Sequence, residues 1–282
     1  MALTACLPEN PDSLEVRPNT WLPLEQQLSC LSGNGVMIAA HRGTSRETPW
    51  PENSRSGLDG LIAAGIIMAE IDVARIAGGT HILFHDGLWD DKSTGKGPIV
   101  KTPWSAAQSI LLRDTKDRIT SDTPIKLDDY LLAAQNRLYL EIDFKSSADY
   151  KTVIKSIRRA KMQDNVILIS YNARQARKLA ALAPEMMISI PVKQIGDIRA
   201  LMAQGLKKNQ IAAWVKPSNS SLITALNQKT IPVLIKAPNP IPRKSGAIIA
   251  VSDYALHNKG IIFDNKPAQR RYSDCIGNGA KK

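Results

Sequence analysis

Val36-Met37-Ile38-Ala39-Ala40-His41-Arg42-Gly43, then Pro51-Glu52-Asn53-Ser54, then Ala69-Glu70-Ile71-Asp72-Val73-Ala74, then His81-Ile82-Leu83-Phe84-His85-Asp86: this stretch decides the fold. Val36–Ala40 is a short apolar run that reads as a buried strand and delivers His41, Arg42 and Gly43 at its C-terminal end. A second run carries Glu70-Ile71-Asp72. Alternate residues of a strand share a face, so Glu70 and Asp72 point one way and Ile71 the other. Two such carboxylates repel unless a cation or a proton lies between them. Hard divalent ions favour all-oxygen sites, so the expected ion is Mg²⁺ or Ca²⁺. Gly78-Gly79 is a hairpin signal, and the gap before Ile82 is too short for a parallel crossover. Ile82–His85 is therefore expected to run back antiparallel and to bring His85 over the carboxylates.

Outward from this stretch, apolar runs and helix-like segments alternate. A short amphipathic piece at Leu22–Leu31 precedes the first strand, Val36–Ala40, and is expected to close one end of the molecule. A helix over about Ser54–Ala64 leads to the second strand, Ile67–Ala74, and its hairpin return. An insertion over about 87–137 includes a helix start at Thr102-Pro103 and a helix at Leu127–Ala134. Strands follow at Leu138–Phe144, Val166–Ser170, Met186–Pro191, Ile211–Val215, Pro232–Ile235 and Gly260–Phe263. Helical segments between them fall at Tyr150–Ala160, Ala173–Leu182, Ile195–Gln204 and Ser220–Asn227; Ala247–His257 reads as helical or irregular. Repeated β-then-α order argues for a parallel sheet, and eight such strands for a closed α/β barrel, the (β/α)₈ TIM barrel. An open doubly wound sheet is the alternative, but no glycine-rich phosphate loop supports it. The expected organisation is an N-terminal extension over 1–35, one barrel domain over 36–270 and a tail over 271–282.

The chain has 282 residues, 43% of them apolar, enough for one substantial core. No run of about 18 apolar residues marks a transmembrane helix. The net charge of +11 favours anionic partners such as phosphoesters or a lipid surface, though Lys and Arg are scattered rather than clustered. Three cysteines do not make a disulfide scaffold. Leu3-Thr4-Ala5-Cys6 resembles a bacterial lipobox. On that reading the chain is a trimmed mature form, Cys6 carries a lipid anchor to the membrane, and the location is the periplasm or cell envelope. Cys30 and Cys275 are then free to pair in an oxidising compartment.

The Leu138–Phe144 strand adds Glu141 and Asp143, with Lys145 just beyond, on one face. In a barrel that face points inward. These three can neutralise one another, but beside Glu70 and Asp72 the site holds four carboxylates, and a metal ion is the simplest remedy. His41 and His85 fall at the barrel's C-terminal rim, where active sites of this fold sit; His81 and His257 are read as structural. Asp86 can fix His85 or cap its turn. Arg42 suits bidentate contact with a phosphate or a salt bridge to Glu52.

Taken together, His41-Arg42-Gly43, Pro51-Glu52-Asn53, Glu70-Ile71-Asp72 and His85-Asp86, in this order, resemble the glycerophosphodiester phosphodiesterase family. Ser93-Thr94-Gly95-Lys96-Gly97 resembles its threonine-and-glycine turn, and Thr123-Pro124-Ile125-Lys126-Leu127-Asp128-Asp129 its Pro-Thr-Leu-Glu-Glu helix start. Ile142-Asp143-Phe144-Lys145 resembles its Ile-Glu-Ile-Lys strand, Ser170-Tyr171 its Ser-Phe, and Gly260–Asp264 its closing strand. The similarity spans about Val36 to Pro267. It implies a TIM barrel and metal-dependent hydrolysis of glycerophosphodiesters to glycerol 3-phosphate and an alcohol. By position, Glu70, Asp72 and Asp143 would bind a divalent Mg²⁺ or Ca²⁺, with Glu141 as the alternative third ligand. His41 and His85 would be the acid/base pair, Arg42 and Lys145 would hold the phosphate, and Glu52 and Asn53 would support the site.

Two departures stand out. The family's third metal-site glutamate is here an aspartate, Asp143, and its Trp-Thr-Val-Asn-like strand is replaced by Val233-Leu234-Ile235-Lys236. Asp143-x-Lys145 also resembles the related sphingomyelinase D-like phospholipases, so a phospholipase D-type enzyme acting on lysophospholipids or sphingolipids is the second reading. A non-catalytic phosphate- or polyanion-binding barrel is the third. The expected partner is a small glycerophosphodiester or lysolipid, not nucleic acid.

Overall fold

β1 (Gly35–Ala40) has a different neighbour on each part of its two edges. One edge runs parallel to β9 (Ile249–Ser252), with Met37 opposite Ile249 and Ala40 opposite Ser252. The other edge is divided. Its upper residues, Ala39 and Ala40, pair parallel with Met68 and Ala69 of β2 (Met68–Arg75). Its lower residues, Gly35 to Met37, pair antiparallel with β10 (Ile261–Phe263). From β2 the sheet continues in parallel through β4 (Tyr139–Phe144), β5 (Val166–Ile169), β6 (Met187–Pro191), β7 (Ile211–Trp214) and β8 (Val233–Lys236) to β9. The pairing of β1 with β2 closes eight parallel strands into a barrel. β3 (His81–Leu83) returns antiparallel along the far end of β2, with Arg75 opposite His81, as the Gly-Gly turn implied. The structure, a computed structural model, describes residues 21–237, 248–258, 260–263, 266, 269, 270, 272 and 273.

The eighth barrel strand is β9, not Gly260–Phe263 as the sequence suggested, and Ile249–Ser252 is neither helical nor irregular. Both runs are apolar and short, and periodicity alone cannot tell which one fills the slot between β8 and β1. Gly260, at φ 77°, turns the chain into β10, and a side chain there would come within 2.6 Å of the Gly65 carbonyl oxygen.

The strands sort their side chains into two cores. Val36, Ile38 and Ala40 of β1, Ala69 and Ile71 of β2, and Leu140 and Ile142 of β4 face outward against the helices. Those helices are α2 (Arg55–Ala63), α4 (Leu127–Ala134), α5 (Tyr150–Arg159), α6 (Ala173–Leu182), α7 (Ile195–Ala203) and α8 (Ser220–Gln228). The alternate residues Met37, Ala39, Met68, Tyr139, Ile167, Leu234 and Ile249 face inward. α1 (Leu24–Leu31) packs Leu24, Leu28 and Leu31 onto this inner cluster, and Tyr139 Oη donates to Leu22 O at 2.7 Å. The N-terminal segment thus fills the bottom of the barrel.

The segment after β3 forms a small core of its own, with Phe84, Trp89, Ile99 and Leu112 packed on Ala74 of β2 and Ile76 just beyond it. It contains the short α3 (Trp104–Ala107). α4, placed by the sequence within an insertion over 87–137, packs in the main core instead and serves as the barrel helix before β4. Cys30 is disulfide-bonded; Cys6 and Cys275 lie outside the described residues, as does the tail over 274–282.

Ile249 is fully buried and Ile261 is not. Ile249→Ala should cost about 2–4 kcal/mol in urea unfolding, and Ile261→Ala less than half as much. Equal losses would mean that β10 matters as much as β9 to closure.

Candidate active site

The inward parity of each strand continues upward into the site. On β2 the inward series is Met68, Glu70, Asp72; on β4 it is Tyr139, Glu141, Asp143, then Lys145. The bottom of the barrel is apolar and the top is ionisable. Register places Glu70 opposite Glu141 and Asp72 opposite Asp143. Ligand oxygens of Glu70, Asp72 and Asp143 lie within 4.8 Å of one another, and all three side chains are buried. Glu141 lies outside that group, so Asp143 is the β4 acid that joins it.

Each carboxylate is held from a different element. The chain leaves β1 through a tight turn in which Arg42 adopts φ 56°, a strained conformation for a non-glycine residue. That turn aims the Arg42 backbone N–H at Glu70 Oε2, 2.8 Å away. Asn53, also at φ 56°, donates its backbone N–H to Arg42 O and its side-chain Nδ2 to Asp72 Oδ2 at 2.8 Å, while its Oδ1 accepts from Asp72 N. Lys145 Nζ stands 2.7 Å from both Asp72 Oδ1 and Asp143 Oδ2. Tyr171 Oη, just past β5, donates to the same Asp143 Oδ2 at 2.6 Å. Asp143 Oδ1 is left buried without a partner, and so are both oxygens of Glu141.

One ammonium among these acids leaves the charge unbalanced. Burial, and then Asp72, hold the Glu70 carboxyl well above the usual range. Burial, with Asp143 beside it, pushes Glu141 up to about 8. Burial pulls the Lys145 ammonium down, but Asp72 and Asp143 outweigh it and raise it. An all-oxygen donor set with an unpartnered Asp143 Oδ1 fits a hard divalent cation.

Both rim histidines line the same cavity of about 280 Å³ as these acids. His41 Nδ1 is 2.5 Å from Asp253 Oδ1, and His85 Nδ1 is 2.6 Å from Asp86 Oδ1. An aspartate at Nδ1 fixes that nitrogen as the donor and leaves Nε2 to exchange protons. His41 Nε2 lies 3.9 Å from Glu70 Oε2. Burial, and then the Lys236 ammonium, lower the His41 pKa. Ile169, Pro191, Trp214 and Val251 supply an apolar wall.

Residues 41–244 match the model of the glycerophosphoryl diester phosphodiesterase family. The chain belongs to that family. It is 27% identical over 154 residues to the uncharacterized protein YqiK of Bacillus subtilis strain 168, a match over 52% of this chain and 63% of that protein, which is less than two thirds of its length. Among solved structures, a glycerophosphoryl diester phosphodiesterase from Parabacteroides distasonis superposes with a TM-score of 0.73 at 20% identity, covering 89% of this chain and 90% of that one. An Oleispira antarctica phosphodiesterase, solved with the product sn-glycerol-3-phosphate, superposes with a TM-score of 0.63 at 20% identity, over 78% of this chain and 94% of that one.

In this family member the sequence-expected residues His41, His85, Glu70, Asp72, Asp143, Glu141 and Lys145 all reach one cavity. Arg42 does not face that cavity. Its Nη1 donates to both oxygens of Glu52, at 3.1 and 3.2 Å, the salt bridge that the sequence offered as the alternative to phosphate contact. His81 is structural, its Nε2 accepting from Asp149 N, and His257 pairs with Glu47. Sequence reasoning missed Asp253 and gave Tyr171 no role. Asp253 lies two residues beyond Val251 in the inward series of β9, so assigning that strand would have found it. Nothing in the sequence signals that Tyr171 reaches Asp143.

Asn53→Ala and Tyr171→Phe each remove one bond that orients a cluster carboxylate. Each should weaken Mg²⁺ binding by about 10–100-fold in calorimetric titration, with the fold intact by circular dichroism. Unaltered affinity in Tyr171→Phe would mean that the phenol does not govern Asp143.

Proposed function

We propose that the protein hydrolyses glycerophosphodiesters to glycerol 3-phosphate and an alcohol. The observation that carries this reading is the meeting, in one cavity, of two histidines anchored at Nδ1 with a buried three-carboxylate cluster. Binding alone needs no such pair of proton carriers. Glu70, Asp72 and Asp143 are the residues that would hold a divalent cation, which supplies charge neutralisation and polarisation of a phosphate oxygen. Mg²⁺ and Ca²⁺ both suit the donors.

The chain's own groups then divide the work. Lys145 supplies positive charge as negative charge builds on the phosphate. A glycerol hydroxyl next to the diester attacks phosphorus and loses its proton to one histidine Nε2. The other histidine gives its proton to the departing alcohol oxygen, and water opens the resulting cyclic phosphate. Asp253 and Asp86 keep both imidazoles in the tautomer this exchange requires. Asn53 and Tyr171 hold Asp72 and Asp143 in place.

The apolar wall of Ile169, Pro191, Trp214 and Val251 favours, as a second reading, a lysophospholipid whose head group is released. The disulfide at Cys30 supports an oxidising compartment such as the periplasm.

Glycerol 3-phosphate should be released from glycerophosphocholine and glycerophosphoethanolamine, cease with EDTA and return with Mg²⁺ or Ca²⁺. Release of free head group from lysophospholipid, with none from these diesters, would favour the second reading. His41→Ala and His85→Ala should each lower turnover by roughly 10²-fold or more. Near-normal turnover in either variant would remove that histidine from the mechanism.

A further inference from the structure

A second cavity, of about 580 Å³, opens beside the first and shares His41 and Lys236 with it. One wall is the loop after β1, and the other is the segment after β3. Thr115 Oγ1 donates to Thr48 O at 3.0 Å and ties the two walls together. Ser56 N and Oγ donate to the Asp122 carboxylate at 3.1 and 2.8 Å, which holds the second wall against the start of α2.

This cavity is cationic. Arg42, Arg46, Lys92, Arg113 and Lys236 line it, against Glu52, Asp114 and Asp253. The acids are already engaged. Asp114 is paired with Arg118 at 2.7 Å and accepts from the backbone N–H groups of Lys116 and Arg118. Glu52 serves both Arg42 and Lys92, at 3.1 and 3.6 Å. Asp253 serves both His41 and Lys236. Arg113 is held by the Ser93 and Asp117 carbonyl oxygens and paired with the Asp117 carboxylate at 3.6 Å. The exposed Arg46 guanidinium has no ion pair or hydrogen bond among the described residues. Positive charge gathered in a concave site and left uncancelled selects an anion.

We propose that this cavity is a subsite for an anionic group, specifically a phosphate, carried by the alcohol half of the diester. The inference rests on the phosphodiesterase reading. With the scissile phosphate at the acids and Lys145, an alcohol half that extends past His41 and Lys236 enters the second cavity. The substrate class is then a glycerophosphodiester whose alcohol bears its own phosphate.

The test compares glycerol 3-phosphate release from glycerophosphoinositol and from glycerophosphoinositol 4-phosphate, the readout being the ratio of their kcat/KM values. The wild-type ratio should favour the phosphorylated substrate by about tenfold, the low end for one charge-assisted hydrogen bond. Arg46→Gln should bring the ratio toward one, Arg46→Glu should carry it further, and Lys92→Gln provides an independent variant. Reading a ratio cancels any general loss of activity. Turnover of both substrates with no preference, or a preference untouched by all three variants, overturns the subsite and leaves the phosphodiesterase reading standing. Release from neither substrate overturns the phosphodiesterase reading, and the cavity is then judged by calorimetric titration of EDTA-treated protein with inorganic pyrophosphate. Binding weakened in Arg46→Glu sustains an anion site there; binding equal to wild type overturns it.

Discussion

Three carboxylates share the mouth of this barrel, and their mutual repulsion in a buried setting is the constraint the site is built around. Each carboxylate is steered by its own donors: Arg42 N on Glu70, Asn53 Nδ2 on Asp72, Lys145 and Tyr171 on Asp143. Those donors cost backbone strain. Arg42 and Asn53 both adopt φ 56°, and they persist there because Asn53 N bonds Arg42 O while each also holds an acid. Without the repelling acids there would be no reason to keep so strained a turn.

The rigidity for this comes from below. The inward residues of the strands meet α1 at the bottom of the barrel in an apolar plug. β1 holds both layers in register, since its divided edge pairs with β2 above and β10 below. The polar layer therefore sits on a packed apolar floor, and the β2–β4 pairing that runs through both layers opposes spreading of the strands that carry the acids.

Two departures from the family's pattern make sense together. Asp143 is one methylene shorter than the glutamate of the resembling strand, and Tyr171 stands where the family has phenylalanine. The phenol and Lys145 both hold Oδ2, which leaves Oδ1 as the free oxygen of the shorter side chain. Lys236, at the end of a strand that differs from the family, shares Asp253 with His41 and borders both cavities.

The alternation of residue types by itself determined the barrel and most of the acid site. Glu70 and Asp72, and Glu141, Asp143 and Lys145, share inward faces because side-chain direction in a strand follows a period of two. The Gly78-Gly79 hairpin was legible for the same local reason, since a turn is encoded by the residues in it. Tertiary structure alone decided which of two apolar runs closed the barrel, because Ile249–Ser252 and Ile261–Phe263 look alike in isolation and differ only in the strands beside them. Asp253 was lost with that misplaced strand. Tyr171's reach to Asp143 and the cationic second cavity were likewise invisible, because each joins loops separated in sequence and brought together only when the barrel closes.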